Sequence, residues 1–202
     1  MIISNRSTTF KPSWLDVLHQ DPVHPADEIK TIERRVKNDR IVYTMLNGDQ
    51  PEVFLQVALC KQAPTSADQL WDDEVSNGPY EFAVFYSIFR LPEAVGSKGA
   101  TQKLLFGAVK DIKRQYPEIN KFITLSPIPS LTKSQILPEQ DAIWQFISDK
   151  KDPVARFHIS NGAMPWHLWP NADRSQLRQA ESMGWMVSYD YTTVQLPDSE
   201  SL

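Results

Sequence analysis

The sequence predicts an α/β or α+β fold in which helices flank a mixed β-sheet, and two observations support this prediction. The β-rich runs 40–46 and 52–59 are separated by Asn-Gly-Asp-Gln-Pro, a stretch typical of an antiparallel hairpin. Farther along, a strand at 81–89, a glycine-containing loop, a helix and a strand at 121–126 follow one another. That order is typical of a βαβ unit, which adds a crossover connection to the sheet.

Apolar periodicity identifies the helices and the closing strand. Residues 26–38 begin with the helix-start signals Pro25 and Asp27 and keep a helical spacing, which predicts a first helix. The helix after the glycine loop has one apolar face, formed by Leu104, Leu105, Ala108, Val109 and Ile112. Shorter patterns predict helices over 139–148 and 172–183 and a final strand over 185–196. For the last helix, Asp173 or Ser175 is the predicted cap.

The composition is that of a soluble globular protein. Of 202 residues, 41% are hydrophobic and 23% are charged, and 25 acidic against 21 basic residues give a net charge of −4. Such a balance favours neither a nucleic acid nor a membrane surface as partner. The single cysteine, Cys60, excludes an internal disulfide, and no apolar run approaches the roughly 18 residues of a membrane span. With no signal-peptide pattern at the N-terminus, we expect one domain, residues 1–202, in the cytoplasm.

Two side chains are candidates for chemistry. Ser126 ends a predicted strand directly before Pro127, which has no N–H, so we expect the strand pairing to stop there. Ligands of open α/β sheets bind at such strand ends. For a Ser-Pro pair, however, a serine that only satisfies a turn is the commoner case. His158 lies in an apolar stretch, where a core histidine is likewise the commoner case.

A glycine-containing loop precedes the central helix. Gly96 and Gly99 are followed by a helix start near Thr101, where free backbone N–H groups can hold a phosphate. An ordinary connecting loop is the competing and commoner interpretation. No metal site is predicted, because the spacing of a ligand pair is absent from the remaining histidines, which are His19, His24 and His167.

The chain resembles a known family from about residue 20 to residue 192. It is similar to the malonyl-CoA decarboxylase family in the motifs FYSI (85–88), TLSPIP (124–129), DPVARFHISNGA (152–163), ADRS (172–175) and GWMVSYDY (184–191). Shorter matches nearer the start are DPVHP (21–25), DR (39–40) and VALCK (57–61). The central motifs are long and specific, so chance is a poor explanation for the resemblance.

The resemblance implies an acetyltransferase-like (GNAT-type) catalytic domain without the N-terminal helical domain with which the family builds its oligomers. It places Ser126 on the family's catalytic serine and His158 on its catalytic histidine. Ser87, within FYSI, and Tyr191 match residues that line the family's site. The family's malonyl-CoA-binding loop corresponds to Gly96, Ser97, Lys98, Gly99, Ala100, Thr101 and Gln102.

The implied reaction is loss of CO2 from malonyl-CoA, or from a close malonyl thioester, to give the acetyl thioester. No cofactor is expected, because the thioester itself accepts the electrons that CO2 leaves behind. An imidazole with an ordinary pKa near 6.5 is a suitable acid for the α-carbon, and a serine can hold the carboxylate or relay the proton. The expected ligand is an acyl-CoA, with an acyl carrier protein as the alternative carrier.

Two other functions stay open. An acyltransferase on the same fold would move an acyl group to an amine or a thiol. A non-catalytic acyl-CoA-binding module is favoured by Gly99, where the family carries a glutamate, and by Phe89, where it carries a small polar residue. The family also has a long helical stretch between its serine and its histidine, whereas Ser126 and His158 are only 32 residues apart.

Overall fold

The structure, a computed structural model, describes residues 1–24, 29–71, 77–94 and 99–194. The strands are β1 Ile2–Ser4, β2 Arg40–Asn47, β3 Gln50–Cys60, β4 Phe82–Arg90, β5 Lys121–Thr124, β6 Ser126–Pro127, β7 Met164–Trp169 and β8 Met186–Asp190. The α-helices are α1 Ile29–Arg34, α2 Asp68–Trp71, α3 Ala100–Gln115, α4 Gln140–Ser148, α5 Pro153–Ser160 and α6 Gln176–Ser182. Two short 3-10 helices are found in the described ranges, Pro12–Gln20 and Thr132–Ser134.

The chain divides into two units. The first comprises Met1–Gln62, Asp73–Asn120 and Leu196–Leu202, and the second comprises Ala63–Asp72 and Lys121–Gln195. Within the described residues, none of the helices combines the length and the apolar character that crossing a membrane requires.

The first unit is built on antiparallel pairing of β1 with β2, β2 with β3 and β3 with β4. Helix α3 packs against β2, β3 and β4. Its buried residues include the whole apolar face that the sequence predicts, Leu104, Leu105, Ala108, Val109 and Ile112. Burying a side chain of this size stabilises the fold by about 1.5–3 kcal/mol, so α3 is held by its packed face.

A second cluster of buried side chains completes the core of the first unit, and it includes Phe89. The cluster consists of Ile3, Phe10, Leu18, Val42, Leu46, Phe54 and Phe89. The rings of Phe54 and Phe89 stack with centroids 5.7 Å apart. Phe89, one of the two substitutions that favoured a non-catalytic module in the sequence, is therefore a packing residue of the core.

The early motifs DPVHP and DR form buried polar networks. Gln56 donates to the Asp21 carboxylate at 2.5 Å and accepts from Arg35 at 3.0 Å. Asp39 pairs with Arg34 and with Arg40, each at 2.8 Å. Buried charges are tolerated when they are paired and hydrogen-bonded, and removing one partner of such a pair would leave an uncompensated buried charge.

In the second unit, β8 is the central strand. It pairs antiparallel with β5 and β6 on one side and with β7 on the other. The pairing reaches Pro127, which lies opposite Met186, so the expectation that it would stop at Ser126 is wrong by one residue. A proline loses only its N–H, and its carbonyl can still accept.

The predicted elements are largely found, with shifted ends. The hairpin, the strand–helix–strand order and both later helices are confirmed, and Ser175 rather than Asp173 caps α6. The first helix is shorter than predicted within the described residues, which exclude 25–28. The final strand ends at Asp190. Helix α5 was not among the predicted elements, although it carries His158.

Candidate active site

His158 lies on α5, a helix of eight residues whose start is fixed by an Asp-Pro pair. The Asp152 carboxylate is the N-cap, and its Oδ1 accepts from the N–H groups of Val154 at 2.8 Å and Ala155 at 3.1 Å. Pro153 occupies the first helical position, where an N–H is not needed. These local preferences set the register of the helix, and therefore the place of His158 on it.

The other end of α5 is fixed directly after His158. The Ala163 N–H donates to the His158 carbonyl at 3.1 Å, and the Gly162 N–H donates to the Ile159 carbonyl at 3.0 Å. These two bonds form a Schellman motif, which requires a left-handed residue, and Gly162 has φ of 86°. Asn-Gly-Ala thus terminates the helix one turn beyond the histidine.

Asp152 also connects α5 to the segment that follows Ser126. Its Oδ2 accepts from the backbone N–H of Ser130 at 3.0 Å, and the Asp152 side chain is fully buried. Burial raises the pKa of this carboxyl, while the bonds from Ser130, Ala155 and Val154 act in the opposite direction. One carboxylate therefore holds both segments that carry the candidate residues.

Ser126 and His158 meet inside the second unit. Ser126 Oγ lies 3.2 Å from His158 Nε2, and each residue is only 6% exposed. The two side chains proposed from the motifs are thus within hydrogen-bonding distance. Because they come from a strand end and from a helix, the contact is made by tertiary structure.

Tyr191 completes a chain of hydrogen bonds through the imidazole. Its hydroxyl lies 2.8 Å from His158 Nδ1, and the residue is buried just beyond the end of β8. Burial raises the pKa of the Tyr191 phenol, so the hydroxyl stays protonated at physiological pH. Both nitrogens of the imidazole are therefore engaged by hydroxyl groups.

Tyr189 stacks on the imidazole and was not found from the sequence. The ring centroids of His158 and Tyr189 lie 4.5 Å apart, with 23° between the planes. Burial of His158 lowers its pKa from 6.5 to about 3. The histidine is therefore neutral at physiological pH, which differs from the ordinary titration expected of it. The spacing of Tyr189 on β8 and Tyr191 directly after it was a usable signal, because residues two apart on an extended chain share a face.

Thr124 is a second residue that the sequence reasoning missed. The Ser126 hydroxyl donates to Thr124 Oγ1 at 2.9 Å, and the backbone N–H of Tyr189 donates to the same oxygen at 3.1 Å. Thr124 is 1% exposed. Its position two residues before the serine on an extended chain was the available signal.

Ser87 lies in the first unit, beside a bulge in β4. Gln56 pairs with Ser87 and Val57 with Phe85, which leaves Tyr86 as the extra residue. The buried Ser87 hydroxyl has no hydrogen-bond partner among the described residues. Leaving a buried hydroxyl unsatisfied costs about 1–3 kcal/mol, so such a group is suited to bind a ligand or a water.

The predicted substrate loop is described only in part. Gly96, Ser97 and Lys98 lie outside the described residues. Gly99 has φ of 77° and is the N-cap of α3, and no side chain caps this end. Ala100 is a buried residue of the first turn, and Thr101 and Gln102 follow it in the same turn. The start of the helix thus offers backbone N–H groups, as the sequence predicts.

The arrangement in the second unit can donate, accept and relay a proton without a charged group. Among the described residues, no group of three His, Cys, Asp or Glu side chains is placed to hold a metal ion. A hydroxyl, a neutral imidazole and a phenol in sequence are suited to general acid–base chemistry in a buried environment.

Comparison with known proteins identifies related sequences. A family model described as "Malonyl-CoA decarboxylase C-terminal domain" matches residues 15–148 and 142–200 of this chain. The mitochondrial malonyl-CoA decarboxylase of Anser anser anser is 23% identical over 241 residues, covering 85% of this chain and 48% of the relative. The chain thus spans about half the length of the curated relatives that it matches.

Solved structures show the same fold. Malonyl-CoA decarboxylase from Agrobacterium vitis is 24% identical with a TM-score of 0.78, covering 99% of this chain and 62% of that one. The GphF GNAT-like decarboxylase in complex with isobutyryl-CoA is 16% identical with a TM-score of 0.67, and the match covers 94% of this chain and 97% of that one. These likenesses confirm the predicted fold class, a mixed sheet with flanking helices of the acetyltransferase type.

Proposed function

We propose, since this chain belongs to the malonyl-CoA decarboxylase C-terminal domain family, that it releases CO2 from malonyl-CoA or a close malonyl thioester. The observation that supports the proposal most directly is the buried contact between Ser126 Oγ and His158 Nε2, 3.2 Å long. The contact joins, from distant parts of the sequence, the two residues that the motif resemblance places on the family's catalytic serine and histidine.

The reaction requires few protein groups. When the C–C bond to the carboxylate breaks, its electron pair moves into the thioester and forms an enolate. The protein must stabilise that oxygen by hydrogen bonding and then supply a proton to the α-carbon. Ser126 and His158 are the groups proposed to hold the reacting end of the substrate and to deliver this proton.

Burial of the pair supports this chemistry. A neutral imidazole has one N–H that it can donate and one bare nitrogen that it can use as acceptor. In a site that excludes water, hydrogen bonds to a developing enolate are stronger than in solution. A malonyl carboxylate is also less stabilised in such a site than in water, which favours its departure as neutral CO2.

Substrate binding is proposed for the first unit on separate grounds. Ser87 contributes a buried hydroxyl that is unsatisfied within the described residues. The start of α3, with Gly99 as N-cap, offers backbone N–H groups suited to a phosphate of CoA. Gly96, Ser97, Lys98, Ala100, Thr101 and Gln102 complete the proposed binding loop. The carrier is proposed to be CoA, since the structurally similar GphF decarboxylase was solved with isobutyryl-CoA.

The test is to incubate the purified protein with malonyl-CoA and to follow acetyl-CoA by chromatography. His158→Ala and Ser126→Ala should abolish or strongly reduce acetyl-CoA formation. His167→Ala is the matched control, because His167 is an exposed histidine on β7 and its loss should leave the rate unchanged. Equal rates in the wild type and both dyad variants would refute the mechanism.

The other outcomes separate the alternatives. Tight binding of malonyl-CoA with no acetyl-CoA would identify a binding module, or a substrate carried on another protein. Transfer of the acyl group to an added amine or thiol without CO2 release would identify an acyltransferase.

A further inference from the structure

We propose that Thr124 is a positioning residue that directs the Ser126 hydroxyl hydrogen away from His158, so that the imidazole presents its Nε2–H to Ser126. This inference rests on the proposed function, because it specifies the direction in which the same pair passes a proton. Thr124 makes no proposed contact with the substrate.

The position of the Thr124 hydroxyl is set by the backbone of β8. Ile123 lies opposite Asp190 and Ser126 lies opposite Val187, in one continuous register. Between these pairs, the Tyr189 N–H donates to Thr124 Oγ1 at 3.1 Å. A backbone donor therefore holds the threonine oxygen and orients its remaining lone pair.

The Ser126 hydroxyl uses that remaining lone pair. It donates to Thr124 Oγ1 at 2.9 Å, with both residues buried. A serine has one hydroxyl hydrogen and two acceptor lone pairs. Once the hydrogen points at Thr124, only a lone pair of Ser126 is left to face His158 Nε2, 3.2 Å away.

The protonation of the imidazole follows from this constraint. Nε2 must carry the hydrogen, because two acceptors facing each other in a buried site would leave both unsatisfied. Burial lowers the His158 pKa to about 3, so the ring carries only one hydrogen. Nδ1 is then bare and accepts from the Tyr191 hydroxyl at 2.8 Å. The chain runs in one direction, from Tyr191 through His158 and Ser126 to Thr124.

This direction suits an acid and not a nucleophile. Loss of CO2 leaves an electron pair at the α-carbon, and one proton must reach it. The Nε2–H bond breaks as its proton moves directly to the α-carbon, and its electron pair stays on the ring, which remains hydrogen-bonded through Nδ1 to the protonated Tyr191 hydroxyl. A proton from water then restores the chain, so that one solvent proton is consumed in each turnover. The opposite direction would remove the proton from Ser126, as an acyl-transferring serine requires.

The experiment measures the histidine tautomer by nitrogen-15 NMR without substrate. The chain has four histidines, so the His158 signals are assigned by their loss in His158→Gln. The wild type should show hydrogen on Nε2. Thr124→Val, which removes the oxygen at similar volume, should shift the population toward hydrogen on Nδ1, and Thr124→Ser should restore the wild-type signal. Hydrogen on Nδ1 in the wild type would overturn the inference, whatever the variants do.

A second readout tests whether Ser126 becomes a nucleophile. General-base assistance is worth about 10²–10⁴-fold, so fluorophosphonate labelling of Ser126 should rise at least about tenfold in Thr124→Val. Unchanged labelling in a folded Thr124→Val protein would contradict the inference. Nε2–H with no acetyl-CoA would support the inference and refute the proposed function. Hydrogen on Nδ1 together with acetyl-CoA formation would support the proposed function and refute the inference about Thr124.

Discussion

The imidazole of His158 lies almost parallel to the ring of Tyr189, with centroids 4.5 Å apart and 23° between the planes. Tyr189 is fully buried, so the stack removes one face of the imidazole from water. The resulting desolvation keeps His158 neutral in the folded protein, with a pKa of about 3. In the unfolded chain the same side chain takes up a proton near pH 6.5.

This difference predicts that acidification destabilises the protein. Below about pH 6.5 the unfolded chain binds a proton that the folded chain does not, so the free energy of unfolding falls as the pH falls. The stability that neutral His158 contributes is fully present above about pH 6.5. Below that pH, the free energy of unfolding falls by about 1.4 kcal/mol for each pH unit, until the pH reaches the pKa of His158 in the folded protein. Urea denaturation of the wild type and of His158→Gln, from about pH 4.5 to 7.5, measures it. Equal pH dependence in the two proteins would contradict the prediction.

Asp152 provides a prediction that separates helix capping from positioning. Asp152→Ser keeps a cap for α5 but loses the bond from Ser130, so stability should fall by about 1 kcal/mol. Asp152→Ala loses both and should cost about 2 kcal/mol. The proposed decarboxylation should slow in both variants, because one carboxylate no longer holds the segments of both Ser126 and His158.

A cap outside the candidate site serves as the control. Ser175 caps α6 by accepting from the Arg178 N–H at 3.3 Å. Ser175→Ala should lower the free energy of unfolding by about 1 kcal/mol while leaving the rate of decarboxylation unchanged. If Asp152→Ser behaved like Ser175→Ala, Asp152 would be only a cap.

Gly162→Ala should loosen the end of α5. Gly162 has φ of 86°, and a Cβ there would meet Val194 Cγ1 at 3.4 Å. A left-handed alanine costs about 1–2 kcal/mol, and relief of this strain would break the bond to the His158 carbonyl. We therefore expect a lower melting temperature together with a lower kcat. Gly48→Ala, at a hairpin glycine with φ of 59° and no neighbour within 4 Å, should lower the melting temperature alone.

Tyr191→Phe should reduce the rate with little effect on the fold. The variant keeps the buried ring but leaves His158 Nδ1 without the hydroxyl that lies 2.8 Å away. Losing about 1.4 kcal/mol of stabilisation corresponds to about a tenfold lower kcat. Tyr43→Phe is the matched control, because it removes a tyrosine hydroxyl bond to Asp111 of similar length, 2.9 Å. Similar rate losses in both variants would point to a general loss of stability.

Much of the fold could be predicted because short sequence patterns, such as turn residues and apolar spacing, determine its individual elements. The Asn-Gly turn specifies the hairpin, and the apolar face of α3 has the spacing of a long amphipathic helix. Helix α5 was not predicted because it is only eight residues long, which is too short to show a clear helical periodicity of apolar residues. Its signals are at its ends, in Asp152-Pro153 and Gly162, and these signals are read only when a helix is already suspected.

The candidate pair could be proposed only through the family resemblance. Taken singly, a serine before a proline and a histidine in an apolar run are commonly a turn residue and a core residue. No sequence rule joins Ser126 to a residue 32 positions later, since their contact is made where Ser126 pairs with β8 and His158 stacks on Tyr189 of the same strand. Thr124 and Tyr189 each lie two residues from a candidate, which was a usable signal, but their particular roles depend on a backbone N–H and a ring face that tertiary structure supplies.

The bond between the Ser130 N–H and the Asp152 carboxylate closes the chain between them into a loop, with its two ends 22 positions apart. This loop begins shortly after Ser126 and ends shortly before His158. It contains the 3-10 helix Thr132–Ser134 and α4. Doubling the length of a flexible loop adds only about 0.6 kcal/mol to the entropic cost of closing it. Changes of length in the irregular parts of this loop, outside the packed helix α4, should therefore cost little. We therefore expect that a change of length within this loop that leaves both of its ends bonded would leave Ser126 and His158 in place.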